Sequence, residues 1–196
     1  MYPEKAEEII TELLNSRLSP NLFYHNLYHT KGVVSAAMEL AALEGITDEE
    51  ELYLLITAAW FHDAGYINAY EKHEEESCKL AMNLLPAAGY SQEQIHRICT
   101  LIMKTHVPQL PETLLEKIIC DADLDYLGRN EFPRVSKELF KEWKARDKVT
   151  EEAEFNKMQI NFLQAHKYWT NSSRKLREPV KAAHLQKLKE IINSEL

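Results

Sequence analysis

Glycine, proline and cysteine are all scarce: 5, 7 and 3 of 196 residues. The glycines and prolines fall between helical patterns, and no run alternates apolar and polar residues with period two, so strands are not predicted. Cys78, Cys99 and Cys120 are odd in number, widely spread and without a C-x-x-C pair. They read as reduced thiols, small hydrophobes at helical core spacing. Basic residues are outnumbered, 23 Lys and Arg against 31 Asp and Glu, for a net charge of -8. Binding to a nucleic-acid polymer starts from phosphate neutralisation, so this balance argues against it. A small phosphorylated ligand held through a metal remains compatible. The longest apolar stretch, Leu52 to Phe61, is interrupted by Thr57 and too short to span a bilayer. The first residues, Met1 to Glu8, are acidic and lack the basic-then-apolar pattern of a secretion signal, so a cytoplasmic location is expected.

What is present is a set of amphipathic helices. Apolar residues make up 45% and charged residues 28%, near globular averages, which excludes disorder along the whole chain. The length allows one domain, or at most two small ones. Ile9, Ile10, Leu13 and Leu14 share one face of a first helix that stops near Ser19-Pro20. A second helix is expected from about His29 to Glu44, with Gly45 suited to its C-terminal cap. Thr47-Asp48-Glu49-Glu50 matches a capping box, and the helix it opens, to about His62, is apolar nearly all round. A fourth helix is expected over about Lys72–Leu85. Ser91 to Gln94 forms another capping box for a helix that Pro108 ends, and Pro111 suits the first turn of the next. Further helices are predicted near Glu131–Ala145, Glu151–His166 and Pro179–Ser194, with Phe140, Trp143, Phe155, Phe162, Tyr168 and Trp169 as anchors. No repeat or low-complexity segment interrupts them. The predicted fold class is all-α.

The chemistry concentrates in a few places. His25 and His29 stand four apart and, if helical, point to one side. His62-Asp63 ends the most apolar helix, where an ionisable pair is costly unless partners answer it. Asp121-Ala122-Asp123-Leu124-Asp125 ends another apolar helix. Each feature alone has a plain reading: a surface hydrogen-bonded pair, a chance His spacing, a solvated acidic face. Together, each beside an apolar helix, they point to a divalent cation between neutral imidazoles and carboxylates. Such a mixed N/O site suits Mn, Fe, Co, Ni, Zn or Mg, with identity and number open between one ion and two.

This order of residues resembles the HD superfamily of metal-dependent phosphohydrolases, all-helical proteins defined by H…HD…D. His29 matches the first ligand, His62-Asp63 the doublet, and Asp123 the last, with Asp121 open as an alternative. The resemblance covers about residues 20–130. It implies a single HD-type helical domain over 1–196, with the helices of 131–196 completing the bundle or forming a lid. Tyr24-His25-Asn26 followed by His29 also resembles the cyclic-nucleotide phosphodiesterase branch, where the His four before the ligand acts on phosphate or leaving group; here that is His25. Some branches bind a second metal through two further histidines, and His73 and His106 lie in that interval. The plain readings are an exposed residue in an acidic helix start for His73 and a helix C-terminal residue for His106. His96, His166 and His184 read as solvated. Lys31 and Arg129 are candidates for holding phosphate, against a plain reading as solvated surface charges.

The expected activity is hydrolysis of a phosphoester of a nucleotide-like small molecule by metal-activated water. Catalysis is expected from His25 and Asp63, and metal binding from His29, His62, Asp63 and Asp123. Two other classes stay open. An HD-fold di-iron oxygenase would use His29, His62, Asp63, His73, His106 and Asp123; a non-catalytic metal or nucleotide sensor would bind without turnover.

Overall fold

The computed structural model describes residues 1–194 and is built from helices, with no strand among them. In chain order they are α1 (Pro3–Arg17), α2 (Leu27–Leu43), α3 (Glu49–Phe61), α4 (His73–Leu84), α5 (Gln92–Lys104), α6 (Leu114–Asp123), α7 (Phe132–Lys144), α8 (Glu152–Ala165), α9 (Asn171–Leu176) and α10 (Glu178–Ser194). Short 3₁₀ turns at Ala64–Ile67, Leu85–Ala88 and Asp125–Gly128 follow α3, α4 and α6.

The apolar helix α3 is the centre. Leu54, Leu55, Ala58, Ala59, Trp60 and Phe61 are buried around its whole circumference. It packs on α1, α2, α5 and α6, which bring Ile10, Leu40, Ile98, Ile102 and Ile118 into one core. A helix hydrophobic on every side belongs in such a place. Its last turn therefore delivers His62 and Asp63 to the interior. A second, smaller core of Leu124, Leu127, Phe132, Leu163 and Leu188 joins the end of α6 to α7, α8 and α10.

Local chemistry sets the boundaries. Gly45, at φ +78°, ends α2 in the left-handed region where glycine is favoured. Ser91 caps α5 in the expected box with Gln94. The cap of α3 differs from the expectation. Asp48, not Thr47, accepts the Glu51 N–H, and Glu50 instead accepts a hydrogen bond from Gln94 at 2.7 Å. Helix α6 starts at a Thr113–Glu116 capping box, so Pro111 lies outside its first turn. The helix before it ends at Lys104, ahead of Pro108. The short α9, capped by Thr170, was not anticipated. Among the described residues, no helix is long and apolar enough to cross a membrane.

Candidate metal centre

Two helix ends and one helix start converge on a single point. His29 lies in the first turn of α2, His62 and Asp63 follow α3, and Asp123 closes α6. Asn26 caps α2 by accepting the N–H groups of Tyr28 and His29, which fixes where the His29 ring enters. His25 therefore precedes the helix rather than sharing a helical face with His29, and the two rings meet edge to face, 6.0 Å apart. Behind the doublet, Ser77 donates to the His62 carbonyl at 2.6 Å and accepts from the Gly65 N–H at 2.8 Å.

The donor atoms are close and buried. His29 Nε2 is 3.4 Å from His62 Nε2, 3.4 Å from Asp63 Oδ2 and 3.3 Å from Asp123 Oδ1. His62 Nε2 is 3.2 Å from Asp63 Oδ2 and 3.4 Å from Asp123 Oδ1. Ligand atoms about 2.1 Å from one cation lie about 3.0 Å apart at right angles and about 3.4 Å apart at tetrahedral angles. The observed separations match neighbours on one coordination sphere, and His29, His62 and Asp123 form a cluster that can hold a metal ion. His62 Nδ1 lies 2.8 Å from the Ala59 carbonyl, so that nitrogen carries the proton and Nε2 presents its lone pair. Asp63 Oδ2 is buried with no hydrogen-bond partner. A buried, unanswered carboxylate oxygen facing two ring nitrogens is what a cation would satisfy.

Electrostatics agree with that geometry. Burial lowers the His29 pKa, but Asp123 and Asp63 outweigh it and hold the ring above its ordinary value. His62 behaves likewise, with Asp63 and then Asp123 outweighing burial. Burial opposes ionisation of Asp123, yet His29 and His62 draw its pKa down to about 2. Asp63 is held well below the carboxylate range against burial, chiefly by His62 and His29. The pocket favours positive charge between its acids.

Asp121, two residues before Asp123, lies on the other side of α6 and is fully buried away from the histidines. Its carboxylate accepts the Trp169 N–H, the Thr170 N–H and the Thr170 hydroxyl, each at 2.7–2.8 Å. The choice between the two acids is thus made by helix geometry. His73 does reach the site, with Nε2 3.4 Å from Asp63 Oδ1. His106 stands further out, 62% exposed, with Nδ1 2.9 Å from Glu74 Oε1. Glu74 also lies 3.4 Å from His73 Nε2 and links the two histidines. Arg129 is engaged with Asp125 and Glu39, and Lys31 is exposed. His184 is buried and meets the Arg129 carbonyl at 2.8 Å, and His166 is half-buried, so neither is solvated as expected.

Two acids of the site escaped the sequence reading. Glu74 is buried at 5% exposure in α4, where it shares the spacing of Ser77, Cys78 and Ala81, and that periodicity marked it as inward. Glu142 of α7 is fully buried and grips His25. One oxygen accepts the Tyr24 and His25 N–H groups at 2.9 and 3.0 Å, and the other hydrogen-bonds His25 Nδ1 and the Tyr70 hydroxyl. Burial opposes its charge, but His25 and those amides hold its pKa below the ordinary value. The Tyr66 ring stacks between His25 and His73, at 4.3 and 4.0 Å.

A family model described as HD domain matches residues 26–125. The fold aligns with a predicted HD superfamily hydrolase from an uncultured Thermotogales bacterium at TM-score 0.63 and 21% identity, covering 98% of this chain and 92% of that one. It also aligns with the Lin1889 protein from Listeria innocua at TM-score 0.59 and 24% identity, covering 94% and 95%. At these identities the likeness is one of fold. Among curated proteins none matches.

Proposed function

Because the chain belongs to the HD domain family, we propose that it is a metal-dependent hydrolase and, more finely, a phosphohydrolase acting on a small nucleotide-like phosphoester. The observation that carries this reading is the convergence of His29, His62, Asp63 and Asp123, with one Asp63 oxygen buried and unanswered. These four residues would hold the metal, and His73 stands where a second ion or a phosphoryl oxygen would meet Asp63. A divalent cation there supplies an activated water and neutralises charge on the phosphoryl group.

The chain's own residues do the rest. Glu142 binds His25 Nδ1, which leaves Nε2 to face the cavity shared with Asp63 and Asp123. In its imidazolium form His25 donates the Nε2 proton to the departing oxygen and is left with Nδ1–H on Glu142, which holds the ring in the direction that this requires. Tyr66, stacked on His25 and His73, keeps both rings in place and covers them from water.

The test separates metal binding from proton transfer. His62→Ala and Asp63→Ala should each lose bound metal and phosphoesterase turnover while far-ultraviolet circular dichroism stays helical. His25→Ala should keep its metal and lose roughly 10²- to 10⁴-fold in rate. Full turnover by metal-stripped Asp63→Ala would refute the reading.

A further inference from the structure

Next to Asp63 and Asp123 the site opens into a cavity of about 480 Å³, within the range of small-molecule sites. Its lining includes His25, His73 and the two aspartates. Its lining also takes in the facing sides of α7 and α8: Leu139 and Trp143 from one, Phe155, Met158, Phe162 and Leu163 from the other, with Gln159 among them accepting a hydrogen bond from Ser136 at 2.7 Å. Their spacing of three and four residues is that of a packing face. Here part of that face looks onto the cavity instead of onto another helix. An apolar surface held open in this way gains most by covering an apolar ligand.

Cations are few in the cavity. Among the described residues, the lysines and arginines that line it are Lys72 and Lys148, both exposed, 3.7 Å from Glu75 and 2.9 Å from Glu71. Glu71 and Glu74 line the same cavity. A phosphate chain extending past the metal would thus meet paired lysines, carboxylates or aromatic rings. The cavity of about 600 Å³ on the other side of His29 and Asp123 carries Lys31, Arg129 and Arg134. There Arg129 is held by Asp125 and Glu39, and Arg134 donates to the Tyr28 hydroxyl at 2.9 Å. Glu131 and Glu138 share that wall.

We infer that the nucleotide-like substrate bears a single phosphoryl group, and that the uncharged ring of its body lies with its apolar face against α7 and α8 while the phosphoryl group meets the metal centre. This assignment rests on the hydrolytic reading for the phosphoryl end and on the cavity walls for the body. It makes Met158 and Trp143 specificity-determining residues.

The test is binding to the manganese-loaded protein by calorimetry, with three probes: 1-naphthylmethylphosphonate and methylphosphonate, which cannot be hydrolysed, and tripolyphosphate, whose hydrolysis is monitored alongside by phosphate release. The naphthyl probe should bind at least tenfold more tightly than either of the others. Met158→Lys, at a position 42% exposed and so tolerant of change, should reduce that preference to less than threefold. Equal or tighter binding of methylphosphonate or tripolyphosphate by the wild-type protein would overturn the inference. Turnover of 1-naphthyl phosphate is followed in parallel. Turnover without the binding preference would overturn the apolar chamber and keep the hydrolase. The preference without turnover would support the chamber and remove the hydrolase.

Discussion

Asp121 and Asp123 share a helix end, yet one ties down the segment leading into α9 and the other faces two histidines. The identity of a side chain settles little here; what decides its role is the group it meets when buried. His166 makes the same point for stability. Burial, and then the nearby Lys181 ammonium, push its pKa down to about 3. Lys181 Nζ lies 3.3 Å from His166 Nδ1, so the neutral ring accepts there. An unfolded histidine titrates near 6.5. As pH falls below 6.5 the unfolded chain takes up a proton that the folded ring refuses, and stability is lost steadily down to about pH 3. The rate is up to about 1.4 kcal/mol per pH unit. Between pH 7.5 and pH 5, wild-type protein should lose about 2 kcal/mol more than His166→Gln, measured by urea unfolding of both. Parallel losses in the two proteins would show that His166 does not titrate in this way.

Elements were read most readily where burial imposed a period. The faces of α1, α2, α5 and α6 follow from their apolar spacing, and α3 was placed at the centre because it has no polar face. Caps were harder, since several polar residues compete for the same amides. Asp48 took the cap of α3 while Glu50 turned to Gln94. Six residues gave α9 too little length for a period to register. The joint between the doublet and α4 rests on a contact no motif announces. A Cβ added to Gly65 would fall 1.9 Å from the His73 carbonyl oxygen and 2.7 Å from the Ser77 nitrogen. Both belong to backbone, so α4 would have to move, carrying His73 and Glu74 with it. Gly65→Ala should therefore cost about 3 kcal/mol or more, at the upper end of single substitutions, in a thermal or denaturant unfolding measurement. A variant within 0.5 kcal/mol of wild type would show that the joint yields.

Across the whole molecule, the half of the chain with recognisable motifs is completed by the half without. Residues 26–125 carry the HD match. Beyond them, Glu142 holds His25 from 117 positions away, and α7 and α8 wall the cavity next to the metal centre. A metal site was legible because ionisable residues stand beside apolar helices, where they are conspicuous, and the resemblance to the HD superfamily picked out its four proposed ligands. Glu142 and the chamber were not, because their meaning depends on which helix lies opposite, and sequence spacing carries no record of that. The central claim is that His29, His62, Asp63 and Asp123 jointly hold one divalent cation. Its most direct measurement is metal content by elemental analysis after manganese loading and dialysis, for wild type, Asp123→Asn and Asp121→Asn side by side. The account predicts at least one manganese per chain in wild type and Asp121→Asn, and a loss of at least tenfold in Asp123→Asn. Undiminished metal in Asp123→Asn would contradict it.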